Sequence, residues 1–294
     1  MFKNPKELPA KNQDILKESE TYKSYLRSNL RSLKIETYFN VYDEVLNKFK
    51  DKKITFVEIG VLHGGSLKMW RDYFGGAARI IGIDINPEAK RMESEGFEIF
   101  IGSQSSDAFW NNFFQKIGKV DVILDDGGHQ NIQQIITLDK CLPNVNDGGL
   151  IITEDVHTSY LRRFGNPSSF SFINFAKNKI DKINYRFPEI KNKENVERKI
   201  YSITFYESIV VFNINSKKSI IPNYLANNPN SYTENYFVDG SFSEFFPKIQ
   251  NLIDKKFTFL KKIPILKKII RQLFYKKNLV AKIKEYYLLK KYFR

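Results

Sequence analysis

Two short stretches carry the groups most able to do chemistry. ILDDGGHQ (123–130) ends an apolar run in Asp125, Asp126, two glycines and His129. GLIITEDVHTSY (149–160) ends another in Glu154 and Asp155, followed by His157. One acidic pair after a strand reads as a helix cap, since Asp at a helix start is ordinary. Two pairs, each trailed by a histidine, read as a site. Crowded carboxylates repel, and a protein relieves this by holding a cation or by protonating one of them. Oxygen donors with no cysteine beside them suit a hard, octahedral ion that keeps some waters. Magnesium comes first, with manganese or ferrous iron as alternatives. All three histidines, His63, His129 and His157, fall in strand-end loops. Histidine exchanges a proton near neutral pH. His129 follows Asp126 by three residues, so a hydroxyl coordinated at Asp126 lies in its reach, and coordination makes that hydroxyl easier to deprotonate. Asp126 and His129 are thus candidate catalytic residues.

The elements that must position these groups follow from the hydrophobic period. Residues 13–50 read as helical, first through the loose stripe of Tyr22, Tyr25, Leu26, Leu30 and Leu33, then through Tyr38, Val41, Tyr42, Val45, Leu46 and Phe49. Strands are expected at 54–60, 79–85, 97–102, 120–126 and 149–155, with helices at 66–74, 106–118 and 130–145 between them. This alternation predicts an α/β fold with a doubly wound, mostly parallel sheet covered on both faces. Residues 199–214 hold two strand-like runs separated only around Tyr206 to Ser208, too short a connection for a parallel crossover, so they form an antiparallel C-terminal β-hairpin. The layout resembles that of class I, Rossmann-like methyltransferases that use S-adenosylmethionine.

In doubly wound sheets ligands bind beyond the carboxyl ends of the strands. The first strand runs into VEIGVLHGGS, where Gly60 permits a sharp turn and Gly64 and Gly65 permit close backbone approach to a ligand at the start of the next helix. The second strand ends in Asp84, 24 residues after Gly60, placed to accept the hydroxyls of a ribose. Together they imply an adenosine-containing cofactor. The G-x-x-x-G-G spacing differs from the G-x-G-x-x-G that admits a pyrophosphate. Glu58 suits the ammonium of a methionine moiety, directly or through the loop. The candidate cofactor residues are Glu58, Gly60, His63, Gly64, Ser66, Asp84, Gln104 and Asp125. For the glycines, a tight strand-to-helix turn without a ligand is the alternative; for His63, a loop position without a role.

The stretches EIGVLHGGSLKMW, IIGIDINP, DDGGH, GGLIITEDVHTSY and FYESIVVF carry a more specific likeness. Residues 37–212 resemble the metal-dependent sugar O-methyltransferases of the macrolide-modifying type and their relatives in polysaccharide gene clusters. The resemblance implies S-adenosylmethionine as methyl donor, a magnesium-type ion on Asp126, Glu154 and Asp155, and His129 as general base. It implies in-line transfer of a methyl group from a sulfonium to a sugar hydroxyl. Two departures stand out. The family's G-D-Q-S-D after the third strand is GSQSS here, so the implied adenine contact rests on Gln104 alone; and DDGSH is DDGGH, with Gly128 in place of serine. His157 and Tyr160 are candidates for the acceptor pocket or for packing.

The chain of 294 residues carries a net charge of +14, of which residues 251–294 account for +12, leaving a body close to neutral. After Pro264, Ile265, Leu266, Ile269, Ile270, Leu273 and Phe274 share a helical face bordered by lysines, which reads as an interfacial helix for an anionic membrane surface or as a helix docked on the core or a second subunit. The expected organisation is a helical N-terminal cap (1–50), the methyltransferase domain (51–215), an irregular connector or lid (216–254) and the basic amphipathic tail (255–294). A single cysteine, Cys141, excludes an intramolecular disulfide framework and suits a reducing compartment. No signal-peptide core and no membrane-length apolar run is evident, so the expected location is cytoplasmic, peripheral at the inner membrane face. The expected acceptor is a nucleotide-linked or lipid-linked sugar of capsule, lipopolysaccharide or natural-product type. Two other readings compete. One is an RNA methyltransferase gripping phosphates with the tail, against which stand the neutral body and the carboxylate cluster; the other is a membrane-associated scaffold without catalysis. A homo-oligomer is compatible with all three.

Overall fold

A computed structural model describes residues 7–164, 170–190, 196–225, 227, 287, 289, 290 and 292. The chain divides into two units, Met1–Asn223 and Tyr224–Arg294. The expected lid beyond Leu225 and nearly all of the basic tail lie outside the described residues. Among those described, no helix is long and apolar enough to cross a membrane.

The first unit is built on one seven-stranded sheet. In chain order its strands are β1 (Thr55–Ile59), β2 (Arg79–Asp84), β3 (Glu98–Ile101), β4 (Val120–Asp125), β5 (Val145–Thr153), β6 (Ile200–Tyr206) and β7 (Ile209–Ile214). The spatial order is β3-β2-β1-β4-β5-β7-β6. The first five strands pair in parallel, and β7 runs antiparallel to both β5 and β6. Both faces of the sheet are covered. One bears Phe56, Ile80, Val122, Leu124 and Ile152; the other bears Val57, Ile81, Ile123, Ile151 and Phe212. This two-sided burial explains why the central strands read as continuous apolar runs rather than alternating ones.

Among the described residues seven α-helices accompany the sheet: α1 (Ala10–Lys17), α2 (Glu20–Arg27), α3 (Tyr38–Leu46), α4 (Gly65–Phe74), α5 (Asp107–Ile117), α6 (Asn131–Cys141) and α7 (Phe172–Asn184). Ser19, Ser106 and Ser171 cap α2, α5 and α7 by accepting the backbone N–H three residues on, which satisfies one of the donors a helix start leaves unpaired. α7 has no counterpart among the elements expected from periodicity.

Two expectations are corrected. The stretch 13–50 is not continuously helical: α2 stops at Arg27, and residues 28–37 cross the carboxyl ends of the strands as an irregular strap before α3 begins. Ser28 leaves the helical region (ψ 127°), and its hydroxyl donates to the carbonyl of Gly65 at 2.9 Å. Non-local contacts here override the loose helical stripe. Likewise, the helix expected to 145 ends at Cys141, a 3-10 turn covers Leu142–Asn144, and β5 starts at Val145. Gly148 adopts φ +90° there, and the pairing with β4 shifts register between Val120 and Val122, so NDGG is a kink within the strand rather than a turn before it.

The N-terminal helices share the core of the sheet. Tyr38, Tyr42 and Leu46 of α3 pack with Phe56 of β1 and Trp70 and Phe74 of α4, the rings of Tyr42 and Trp70 meeting edge to face at 5.1 Å.

Candidate functional site

The parallel strands deliver their carboxyl ends to a single cleft of about 820 Å³, lined among others by Gly60, Asp84, Gly102, Gln104, Asp126, His129, Glu154 and Asp155. β4 and β5 are neighbours in register, Asp125 opposite Thr153, so the acidic residues that follow each strand emerge side by side.

The four carboxylates of interest are Glu58, Asp126, Glu154 and Asp155. Glu58 is buried, accepting from Ser66 Oγ (2.7 Å) and Trp70 Nε1 (3.0 Å). Asp126 and Glu154 are joined by a group that no motif in the sequence singles out. The ammonium of Lys34, carried in by the strap, lies 2.6 Å from Asp126 Oδ2, 3.0 Å from Glu154 Oε2 and 3.6 Å from Glu58 Oε1. The Tyr42 hydroxyl donates to Glu154 Oε1. Asp155 stands slightly apart: Tyr38 OH donates to its Oδ1 (2.6 Å), and His129 Nε2 lies 3.3 Å from its Oδ2. His129 Nε2 is also 4.0 Å from Asp126 Oδ1. Ligand atoms of Asp126, His129 and Asp155 converge within 4.8 Å of one another. Two hard oxygens and one imidazole, with the Glu154 carboxylate alongside, form a donor set that fits a divalent cation of the magnesium or manganese type.

Three residues here hold left-handed backbone conformations without being glycine: His129 (φ 57°), Asp155 (φ 54°) and Ser208 in the β6–β7 turn (φ 63°). Such conformations cost of order 1–3 kcal/mol each and persist only where surrounding contacts over-determine them. Those contacts are visible. Thr158 Oγ1 donates to the carbonyl of His129 at 2.9 Å. Ser208 Oγ sits 2.8 Å from Tyr38 OH and 2.5 Å from His157 Nδ1. His157 therefore belongs to a polar chain that ends on Asp155. It does not line the cleft, and neither does the exposed Tyr160.

Burial dominates the electrostatics. It pushes the carboxyls of Glu58, Asp126 and Glu154 up, and the Lys34 ammonium pulls each part of the way back. For Lys34 itself burial acts downward, yet Asp126, Glu154 and Glu58 together hold it well above the usual range, so it is an ammonium.

At the ends of β1 and β2, Asp84 accepts the N–H groups of Val61 (2.8 Å), Leu62 (3.1 Å) and Asn86 (2.8 Å). A carboxylate offers about four acceptor positions, so the β1–α4 loop and Asn86 after β2 already use most of them. Gln104 is a clamp between loops: its amide nitrogen donates to Asp125 Oδ1 (2.9 Å) and Thr137 Oγ1 (3.1 Å), and its oxygen accepts from Gly128 N (2.8 Å). Gly60 has φ +94°, and a Cβ there would collide with the carbonyl of Asp126. The close approach at Gly65 is made by the chain itself, since a Cβ would lie 2.5 Å from the carbonyl oxygens of Leu30 and Arg31. Gly65 thus makes room for the strap that carries Lys34, and Gly64 makes room for Met92. Ser66 faces inward onto Glu58, while His63 is exposed beside Arg91 (3.4 Å), outside the cleft. Gly60, Asp84, Gly102 and Gln104 together line the part of the cleft beyond β1, β2 and β3.

Asp125 is fully buried, with Oδ2 lacking a hydrogen-bond partner. Burial raises its carboxyl to about 6, against the bonds from Gln104 and Gly127. With the folded value above the unfolded one of about 3.9, the folded state binds the extra proton between about pH 4 and 6, so stability falls as pH rises through that window. Asp125→Asn keeps the acceptor oxygen and removes the charge. In metal-free protein the variant should gain on the wild type as pH rises from 4 to 7, by about 3 kcal/mol at most, measured by denaturant unfolding. A difference independent of pH would show that Asp125 is not held neutral by burial.

No family model matches the chain. In sequence it is 28% identical over 188 residues to an 8-demethyl-8-alpha-L-rhamnosyl tetracenomycin-C 2'-O-methyltransferase from Streptomyces olivaceus, covering 60% of this chain and 49% of the relative. It is 27% identical over 183 residues to the mycinamicin VI 2''-O-methyltransferase of Micromonospora griseorubida, covering 57% of this chain and 45% of that one. The chain spans about half the length of these curated relatives. In structure it is similar to the MycE methyltransferase of the mycinamycin pathway, solved in complex with Mg and SAH, with a TM-score of 0.60 and 24% identity over 71% of this chain and 57% of that one. The fold is that of the Rossmann-like methyltransferases.

Proposed function

We propose that the chain is an S-adenosylmethionine-dependent O-methyltransferase that acts on a sugar hydroxyl with the help of a divalent cation. The observation that carries this reading is the convergence of Asp126, His129 and Asp155 within 4.8 Å beside a cleft floored by the Gly60 turn and Asp84. The curated relatives, named as O-methyltransferases of sugar-bearing natural products, and the likeness to a methyltransferase crystallised with Mg and SAH support the same chemistry.

Asp126, Glu154 and Asp155 would hold the cation; when bound, it would lower the cost of ionising an acceptor hydroxyl and fix its position. The chain's own residues do the rest. His129 takes the hydroxyl proton, and Asp155, 3.3 Å from its ring nitrogen, stabilises the imidazolium that results. Tyr38 fixes Asp155 from the other side. When bound, S-adenosylmethionine would supply the methyl group to the sugar oxygen, its carbon–sulfur bond breaking and an uncharged thioether leaving. This step asks mainly for alignment. The rigid β4 and β5 ends carry the proton-accepting side, and the β1 and β2 ends carry the cofactor.

The acceptor we propose is a nucleotide-linked or glycan-precursor sugar. The basic segment 255–294 supports a cytoplasmic location against an anionic membrane surface, where lipid-linked precursors are handled. A methyl-transfer screen of the full chain against nucleotide sugars, with magnesium or manganese and with chelator, tests the proposal. Methylated sugar that disappears on chelation is the expected result. Transfer that is insensitive to chelator removes the cation, and transfer to RNA instead of sugars would favour the competing reading.

A further inference from the structure

The strap at 28–37 brings a lysine into a carboxylate cluster that also has the makings of a metal site. Glu58, Asp126, Glu154 and Asp155 together carry up to four negative charges, Glu58 and Glu154 sealed from water and Asp126 and Asp155 at the wall of the cleft. Lys34 ion-pairs with three of them at 2.6–3.6 Å and its own side chain is only 1% exposed. Asp126 belongs both to this ion pair, through Oδ2, and to the converging set Asp126–His129–Asp155. Two cations sharing one carboxylate, with Glu154 adjacent to both, repel each other and divide the same negative charge.

We infer that Lys34 is a resident counter-cation that holds the cluster together without metal and sets how tightly a divalent ion binds there. The inference rests on the divalent-cation reading above. Its energetic basis is linkage: whatever amount Lys34 weakens the ion's binding, the ion weakens Lys34's hold by the same amount. The strap gives the coupling a mechanical side as well: Lys34 ties residues 28–37 to the strand ends, while Ser28, the cradle at Gly65, Tyr25 on the Ser32 carbonyl and Asn12 on Glu36 hold the same residues to the N-terminal helices and α4. Lys34 is thus a positioning residue, tying the N-terminal helices to the strand ends and tuning the cation site.

The test uses the full chain as wild type, Lys34→Met and Lys34→Arg. Manganese binding by calorimetry should tighten at least tenfold in Lys34→Met and stay within about threefold of wild type in Lys34→Arg, which keeps the charge. In chelator Lys34→Met should melt about 10 °C below wild type, since it leaves buried carboxylates uncompensated, and saturating manganese should restore most of that loss. Should Lys34→Met fail to fold in chelator, the wild type alone still decides: by reciprocity, manganese should raise tryptic cleavage after Lys34 at least threefold relative to a reference peptide. Equal manganese affinity in wild type and Lys34→Met, a melting deficit that manganese leaves untouched, or unchanged cleavage overturns the role of Lys34 while the cation reading stands. If no form binds manganese, the cation reading falls and the inference with it.

Discussion

Replacing His129 by Asn should lower turnover by about 10²–10⁴-fold while S-adenosylmethionine affinity stays within a few-fold of wild type. A positioned general base contributes about that factor, and the surroundings of the imidazole suit that role. It lies 3.3 Å from Asp155 and 4.0 Å from Asp126, edge to face with Phe164 at 6.3 Å. Asn is chosen because the backbone here has φ 57°, a region Asn tolerates better than most residues. Ala would mix strain with the loss of the base. The experiment also separates two roles that the geometry leaves adjacent. A base that is not a ligand loses turnover and keeps manganese affinity; a ligand loses both. Full turnover would remove His129 from the chemistry altogether.

The second large effect is on stability. Trp70→Ala should cost roughly 4–6 kcal/mol by denaturant unfolding, near the limit a domain of this size survives. About 3–5 kcal/mol comes from the cavity left by a fully buried indole. Trp70 sits among Tyr42, Phe56, Tyr73 and Phe74, with ring centroids 5.1–6.5 Å away. The rest comes from Glu58, whose Oε1 accepts from the indole N–H at 3.0 Å and would lose a donor in a site closed to water. Trp70→Phe divides the two contributions: it keeps most of the aromatic contact and should cost only about 1–3 kcal/mol. If the two variants were equally unstable, the hydrogen bond to Glu58, not packing, would dominate. The aromatic cluster and the carboxylate cluster thus share a wall, which explains why α3 and α4 lie so close to the chemistry.

The candidate site is asymmetric in its construction. The wall we propose for the cofactor consists of groups already bonded to one another: Asp84 to the loop it faces, Gln104 to Asp125, Thr137 and Gly128. A cofactor bound as proposed would meet a preformed surface, which keeps the ordering cost of binding low. The other side is held by strained backbone and buried charge, both of which respond to what binds. Tyr38, Tyr42 and Lys34 all reach it from the N-terminal segment, so the first helices are part of the site and not a separate cap over it.

Much of this is legible in the residues themselves. The five apolar strands, the antiparallel ending and the arrival of Asp126, Glu154 and Asp155 at one sheet edge follow from runs of four to nine residues and from the shortness of the 206–208 connection, all of which are local. Other features have no local signature. Lys34 is one lysine among many in the N-terminal segment, and its partners Asp126 and Glu154 lie 92 and 120 positions away. Ser208 meets Tyr38 across 170 positions. Gly65 reads as a place for a ligand, and the strap fills it instead. Periodicity and loop length specify which backbone groups pair with near neighbours, and the sheet follows from them. The pairing of buried charges is decided only when the chain closes, because an ion pair gains its strength from the exclusion of water that the whole fold provides.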